Sequence, residues 1–252
     1  MIFTIARREL GALFRSPMAW FIAALMQTAF AWLFLLTLED YLLAQPQLAL
    51  QDHSPGITAY MTFRYMAPVS TLFLVVCPLL AMRTFADEFR LQTYALLAAA
   101  PISTTALVVG KFLGVWLFTG FLILLTIAMP LSLAPISGID AATLLLAGTG
   151  MLCLTAAATA IGLFFSSLTR HSLTAAICTL ATLTFLWLLG KGNFTHPLVK
   201  EVMTSLALST HLGNFFQGIL HSRDLLWFVI VTLLFLLLTL LRLDNQRYQP
   251  VT

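Results

Sequence analysis

Long apolar stretches without a charged residue divide the chain. Six of them cover residues 16–38, 65–82, 112–139, 141–169, 171–190 and 225–241. A membrane-spanning helix needs about 20 apolar residues, and in lipid a helix satisfies its own backbone polar groups. The pattern therefore predicts an all-α polytopic membrane protein with spans at about 17–38, 65–82, 111–133, 141–166, 171–190 and 225–242.

A seventh charge-free stretch, residues 91–110, is not predicted to cross. It contains Gln92 and Pro101, and its strongly apolar part, 94–102, is too short to span. With six spans both termini share a side, and that side holds nine of the 13 basic residues. The other side holds Arg64, Lys191, Lys200 and Arg223. Because basic residues favour the cytoplasmic side, both termini are predicted to be cytoplasmic.

Segments outside the spans have patterns of their own. Residues 2–15 predict an interfacial amphipathic helix, which places Ile2, Phe3, Ala6, Leu10, Leu13 and Phe14 on one face. Arg7, Arg8 and Arg15 are its predicted anchors at the membrane surface. Two outer loops are predicted, at 39–64 and 191–224. The second is expected to form short re-entrant helices before the sixth span.

Composition supports a membrane protein and argues against nucleic-acid binding and a metal site. Hydrophobic residues make up 60% of the chain and charged residues 9%, against about 25% charged in soluble domains. A net charge of +3 gives no indication of nucleic-acid binding. The histidines expected on the outer side, which lack the close spacing of metal ligands, are interpreted as loop residues and not as a metal site: His53, His196, His211 and His221.

The loop at 83–110, between the second and third spans, is the most informative segment. The sequence predicts an amphipathic helix over 84–99, which Pro101 then ends. Ser103 and Thr104 are predicted to cap a second helix that leads into the third span. Physical chemistry alone allows two interpretations: a helix pair that passes force from a soluble partner into the membrane, or a plain loop at the membrane surface.

The residues of this loop resemble those of the ABC type-2 permeases. The matching positions are Asp87-Glu88, Arg90, Thr93, Leu96-Leu97, Pro101-Ile102-Ser103 and Gly110-Lys111. Residues 212–226 also resemble the gliding-motility-type subgroup of that family. Two positions depart from the family pattern: Gln92 stands where Gly is usual, and Phe89 where a basic residue is common.

The resemblance implies a permease subunit of an ATP-binding-cassette exporter in the bacterial inner membrane. It assigns docking on a separate nucleotide-binding subunit to a cytoplasmic coupling helix with Asp87, Glu88, Arg90, Thr93, Leu97 and Pro101. ATP and Mg²⁺ would bind in that partner, because no phosphate-binding loop motif occurs in this chain. A second permease chain, identical or different, is also implied, and a periplasmic accessory subunit is compatible with it.

Gly110 and Lys111 are predicted to mark the start of the third span, with the lysine extending towards water. The chain itself is predicted to have no enzymatic activity and no cofactor. Two other classes of function stay open. One is a structural or assembly subunit of an envelope complex that transports nothing. The other, an intramembrane enzyme, is disfavoured because no catalytic constellation lies within the spans.

Overall fold

The computed structural model describes residues 1–48, 56–93, 103–138, 140–192 and 196–248, and every regular element in these ranges is a helix. Six helical segments there are long and apolar enough to cross a membrane. The predicted all-α polytopic class is therefore confirmed. The side that carries the N-terminal helix and the end of the sixth span is called the terminal side, and the opposite side is called the distal side.

The described residues form twelve α-helices. In chain order they are α1 Ile2–Arg15, α2 Pro17–Leu48, α3 Ile57–Met61, α4 Ala67–Ala81, α5 Arg83–Arg90, α6 Thr104–Leu131, α7 Ala134–Ser137, α8 Ala141–Leu168, α9 Ser172–Leu188, α10 Pro197–Leu206, α11 Leu208–Phe216 and α12 Ser222–Tyr248. A π turn, Thr62–Met66, joins α3 to α4, and a 3-10 turn, Leu189–Lys191, follows α9. The spans are thus α2, the α3–α5 stretch, α6, α8, α9 with its 3-10 turn, and α12.

Several helices extend beyond the charge-free stretches on which the predicted spans rest. α2 continues past Glu39 and Asp40 to Leu48, and α6 begins at Thr104 instead of near 111. A charged residue indicates where a span can reach water, but it does not end a helix. The predicted loops at 39–64 and 83–110 are correspondingly shorter.

Proline accounts for the irregular start of the second span. Pro68 has no N–H with which to bond the carbonyl of Arg64, four residues earlier. The backbone widens into the π turn directly before it, as occurs at single-turn insertions in α-helices. Tyr65, within that turn, is fully buried and donates a hydrogen bond to the carbonyl of Thr126 on α6 at 3.3 Å. The π turn therefore helps to tie the second span to the third.

α8 lies at the centre of the bundle and contacts α4, α6, α9, α11 and α12. Its glycines permit this packing. A Cβ on Gly162 would lie 2.6 Å from the Cβ of Ala81, and one on Gly150 would lie 2.7 Å from the Cβ of Phe215. Small residues let spans approach closely in a membrane. The missing side chains of Gly150 and Gly162 therefore let α11 and α4 pack closely against α8.

Two short helices, α10 and α11, cover the distal side between the fifth and sixth spans. α11 buries Leu208, Leu212, Phe215 and Phe216 and packs against α8. α10 buries no residue and exposes Leu198 and Val202. Short helices were expected here, whereas their re-entry into the membrane stays a prediction.

The distal histidines divide into two kinds. His196 and His221 are exposed, as expected of loop residues. For His211 that interpretation is wrong, because its ring lies on α11, is 4% exposed and contacts Asp224. His53 lies outside the described residues.

Candidate coupling site

α5, on the terminal side, is held at its start by a serine of the fourth span. The regular helix is interrupted at Met82, between α4 and α5, which leaves backbone N–H groups at the start of α5 without partners inside the helix. The buried hydroxyl of Ser166 accepts hydrogen bonds from the N–H groups of Phe85 and Ala86, both at 3.0 Å. It donates to the carbonyl of Met82 at 2.9 Å. Ser166 thus caps α5 from a neighbouring helix.

A buried lysine on α6 holds the middle of α5. The side chain of Lys111 is 2% exposed, and its Nζ donates to the carbonyl of Thr84 at 2.9 Å. The same nitrogen lies 3.1 Å from Oε1 of Glu9 and 2.7 Å from Oε1 of Glu88. An ammonium has three N–H groups, so each has an acceptor. Lys111, Glu9, Glu88 and Thr84 are called the lysine cluster.

The lysine cluster connects three elements through one charge. Glu9 belongs to α1, Glu88 to α5 and Lys111 to α6. The ring of Phe85 adds a cation–π contact, with Nζ 5.1 Å from its centroid. Oε2 of Glu88 is buried without a hydrogen-bond partner among the described residues. The burial of this carboxylate is therefore offset chiefly by Lys111, since a buried charge is tolerated only when it is paired.

Two glycines bring α1 close enough to complete the cluster. A Cβ on Gly110 would lie 2.7 Å from the Cβ of Ile5, and one on Gly114 would lie 2.6 Å from the Cβ of Glu9. Both glycines lie within α6, one helical turn apart. Only their lack of a side chain allows α1 to approach the backbone of α6 and place Glu9 beside Lys111.

One face of α1 packs against the rest of the protein. Ala6 is buried, and Leu10, Leu13 and Phe14 pack against the main core. The other members of the predicted apolar face, Ile2 and Phe3, are exposed. On the opposite face Arg7, Arg8 and Arg15 are exposed, and Arg8 lies 3.4 Å from Glu9. Anchoring of this basic face at a membrane stays a prediction.

The end of α5 is defined by a residue in the left-handed region. Gln92 has φ 57°. Its N–H donates to the carbonyl of Phe89, and the N–H of Thr93 donates to the carbonyl of Glu88, which together form a Schellman motif. The single helix predicted over 84–99 is therefore wrong, because α5 stops at Arg90. Glycine is preferred at such a position. This explains why the ABC type-2 permeases, which the loop resembles, usually have Gly where this chain has Gln92.

The face of α5 away from the lysine cluster is polar and open. Arg90 lies 3.6 Å from Asp87, and their side chains are 60% and 30% exposed. Leu91 and Thr93, just beyond the helix, are also exposed. Phe89 packs instead against the cluster of buried residues around Phe85. This face presents exposed charged groups, while the opposite face is fixed to the bundle.

The predicted site residues therefore fall into separate groups. Glu88, Gly110 and Lys111 converge in the buried contact, whereas Asp87, Arg90 and Thr93 lie on the open face. The expected extension of Lys111 towards water is wrong, because two carboxylates and a carbonyl pair it inside the protein. It also lies well inside α6 and not at the start of that helix. The remaining two, Leu97 and Pro101, lie outside the described residues.

Sequence reasoning missed two residues that the structure makes central. Glu9 is the acidic residue of α1, and a lone carboxylate on a basic helix was a signal that it has a partner. Ser166 gave no signal, since a serine near the end of an apolar span commonly bonds its own helix.

Six apolar spans with a charged helix fixed at one face define a multi-pass helical membrane protein. The sequence model of a family described as ABC-2 family transporter protein matches residues 3–247. The chain belongs to this family, and it is a permease subunit of an ABC transporter. Membership implies pairing with an ABC ATPase subunit and dimerisation. No curated protein matches the chain.

Proposed function

We propose that this permease couples ATP hydrolysis in a separate nucleotide-binding subunit to outward movement of a substrate or to mechanical work. In this scheme α5 receives the partner, and the partner binds ATP and Mg²⁺. The observation that carries the proposal is the double attachment of α5, by Ser166 at its start and by Lys111 at Glu88.

A helix attached in this way can transmit displacement. A push on its open face moves Phe85 and Ala86 against α8, and it moves Glu88 against Lys111 on α6. α1 follows, because Glu9 shares the same ammonium. Packed interiors are stiff and respond as units, so the motion reaches two spans and the N-terminal helix together.

The open face carries the groups that we assign to docking. Asp87, Arg90 and Thr93 are its polar members, and the proposed surface continues through Leu97 and Pro101 in the sequence. Charged, exposed side chains favour partner choice and encounter rate over raw affinity. We assign Glu88 to transmission instead, because it faces Lys111 and is only 15% exposed.

The proposed setting is a bacterial inner membrane with the terminal side in the cytoplasm. Arg7, Arg8 and Arg15 would then face anionic headgroups or the cytoplasm, in accord with the positive-inside rule. A second permease chain, identical or different, completes the translocation path. A periplasmic accessory subunit would meet the distal side.

Two variants of the permease, each purified with its ATPase, separate docking from transmission. The double variant Asp87→Ala/Arg90→Ala removes charges from the open face, and we expect less ATPase to be retained in mild detergent. Glu9→Gln keeps an acceptor for Lys111 but removes a charge. We expect it to retain the ATPase and to lose the effect of the permease on ATP hydrolysis in liposomes.

Lys200→Ala provides the control, since Lys200 is an exposed residue of α10 on the distal side. It should leave both readouts unchanged. Retention of the ATPase and normal ATP hydrolysis by the Asp87→Ala/Arg90→Ala variant would contradict docking on α5. A complex that keeps its cellular function with a hydrolysis-dead ATPase would instead favour the alternative, a structural or assembly subunit.

A further inference from the structure

His211 and Asp224 form a buried ionisable pair on the distal side, remote from the coupling site in the fold. The two residues are 4% and 3% exposed. Nδ1 of His211 lies 2.6 Å from Oδ1 of Asp224, and Nε2 lies 2.9 Å from the carbonyl oxygen of Ser205. Asn214 donates from Nδ2 to the other carboxylate oxygen at 2.7 Å. Every polar atom of the two side chains is thus engaged.

These contacts determine how many protons the pair holds. A backbone carbonyl only accepts hydrogen bonds, so Nε2 of His211 carries a hydrogen. A neutral imidazole has one N–H, which would leave a lone pair on Nδ1 facing a carboxylate lone pair. Atoms 2.6 Å apart in such an arrangement repel, so a further proton lies between Nδ1 and Oδ1 of Asp224. The contact requires that proton.

The pair joins three elements. Ser205 lies near the end of α10, His211 and Asn214 lie on α11, and Asp224 lies in the first turn of α12. The imidazole also stacks on the indole of Trp227, with ring centroids 4.9 Å apart. These contacts hold both distal helices on the sixth span. Ser205, His211, Asn214 and Asp224 are called the distal clasp.

Solvent protons can reach the clasp. A cavity of about 420 Å³ is lined by His211, Asn214 and Asp224 together with His221 and Arg223. His221 and Arg223 are exposed, so the rim of the cavity is open to solvent. A buried pair beside such a cavity can exchange its proton without unfolding of the helices.

Other ionisable or charged groups surround the clasp but do not bond to it. His221 and Arg223 share the cavity, Lys200 and Glu201 lie on α10, Lys191 lies in the 3-10 turn, and Arg64 and Tyr65 lie in the π turn. Within the described residues none of them forms an ion pair or hydrogen bond with His211 or Asp224. The proton between His211 and Asp224 therefore decides whether the clasp is closed.

We propose that the distal clasp is a proton-operated device that fastens α10 and α11 to the sixth span. With its proton the clasp is an imidazolium–carboxylate pair and is closed. Loss of the proton as the pH rises sets the Nδ1 lone pair against the carboxylate, and the distal helices loosen. The device works independently of coupling through α5.

Trp227 supplies a direct measurement of the clasp. A stacked imidazolium quenches indole fluorescence, so Trp227 is dark while His211 carries both protons and bright once the ring is neutral. The difference in emission between the natural protein and Trp227→Phe, followed upward from about pH 6, isolates this indole from the others. We expect the difference to grow as the pH rises.

Asp224→Asn is the decisive variant. An asparagine amide can donate from Nδ2 to the Nδ1 lone pair of a neutral His211, while its oxygen still accepts from Asn214. The contact then needs no extra proton. His211 then stays neutral, so we expect Trp227 emission in this variant to be bright and independent of pH, whereas His221→Gln on the cavity rim should keep the full response.

Trp227 emission that does not change with pH in the natural protein would overturn the proposal. So would a pH response in Asp224→Asn equal to that of the natural protein. If that variant does not fold, ¹⁵N NMR of the imidazole nitrogens of the natural protein decides the question. Both nitrogens of His211 should carry hydrogen at low pH and one should lose it as the pH rises. A singly protonated ring throughout the range would equally refute the clasp.

Discussion

Loss of the Lys111 side chain should lower the free energy of unfolding substantially. It neutralises two carboxylates that are 18% and 15% exposed, on Glu9 and Glu88. Breaking a buried ion pair by removing one partner leaves uncompensated charge, which typically costs about 3 kcal/mol or more. We therefore expect Lys111→Met to lower the free energy of unfolding in detergent by about 3 kcal/mol, measured by denaturant titration.

The Arg90–Asp87 pair serves as the comparison. Both side chains are substantially exposed, and exposed pairs contribute about 0–1 kcal/mol. Arg90→Gln should therefore leave the unfolding transition almost unchanged. An equal loss in Arg90→Gln and Lys111→Met would show that burial does not set the energetics of this site.

Gln92 allows the opposite kind of prediction, a substitution that stabilises. Its φ of 57° places a side chain in the left-handed region, where a non-glycine residue costs roughly 1–2 kcal/mol. Gln92→Gly should raise the free energy of unfolding by about 1 kcal/mol. The melting temperature checks this, with Gln92→Ala as the control that keeps the strain. A lower melting temperature for Gln92→Gly would contradict the assigned backbone conformation.

At the scale of elements, the attachment of α5 to α8 depends on one hydroxyl. Removing a helix cap costs typically about 1 kcal/mol, so Ser166→Ala should loosen the start of α5 without unfolding the bundle. Hydrogen exchange of the Phe85 and Ala86 amides measures this directly, since both bond to Ser166. We expect faster exchange at these two positions.

The neighbouring serine provides a matched control. Ser167 is also buried, but its hydroxyl donates to the carbonyl of Phe164 in its own helix. Ser167→Ala should leave exchange at Phe85 and Ala86 unchanged. Similar acceleration in both variants would mean that α8 as a whole, and not the cap, governs α5.

The sequence predicted those features of the fold that depend on residues close together along the chain. Apolar stretches and charge placement predicted the six spans, and Ser103 caps α6 as predicted, accepting a hydrogen bond from Ala106. These features are local, so residues near in sequence carry the signal. The end of α5 at Gln92 was missed, because helix propensity does not register a left-handed turn.

Contacts between distant elements were the part that the sequence did not predict. Glu9 and Lys111 are 102 positions apart, and Ser166 and Phe85 are 81 apart. No periodicity links such residues, since their meeting depends on how the spans pack. Both contacts became visible only with the positions of α1, α5 and α8 relative to α6. The same holds for His211, which pattern alone classed with the exposed histidines.

For the whole molecule the proposed docking on α5 depends on orientation in the membrane, because the terminal side must face the cytoplasm. Gly11 lies on that side and Gly56 on the distal side, and a Cβ at either would meet nothing within 4 Å. Gly11→Cys and Gly56→Cys are thus a matched pair of probes. In intact cells a membrane-impermeant maleimide should label Gly56→Cys, whereas Gly11→Cys should react only after the membrane is opened. The native cysteines are buried or half-buried, and the natural protein measures their background. Labelling of Gly11→Cys in intact cells would reverse the orientation and remove α5 from reach of any cytoplasmic ATPase.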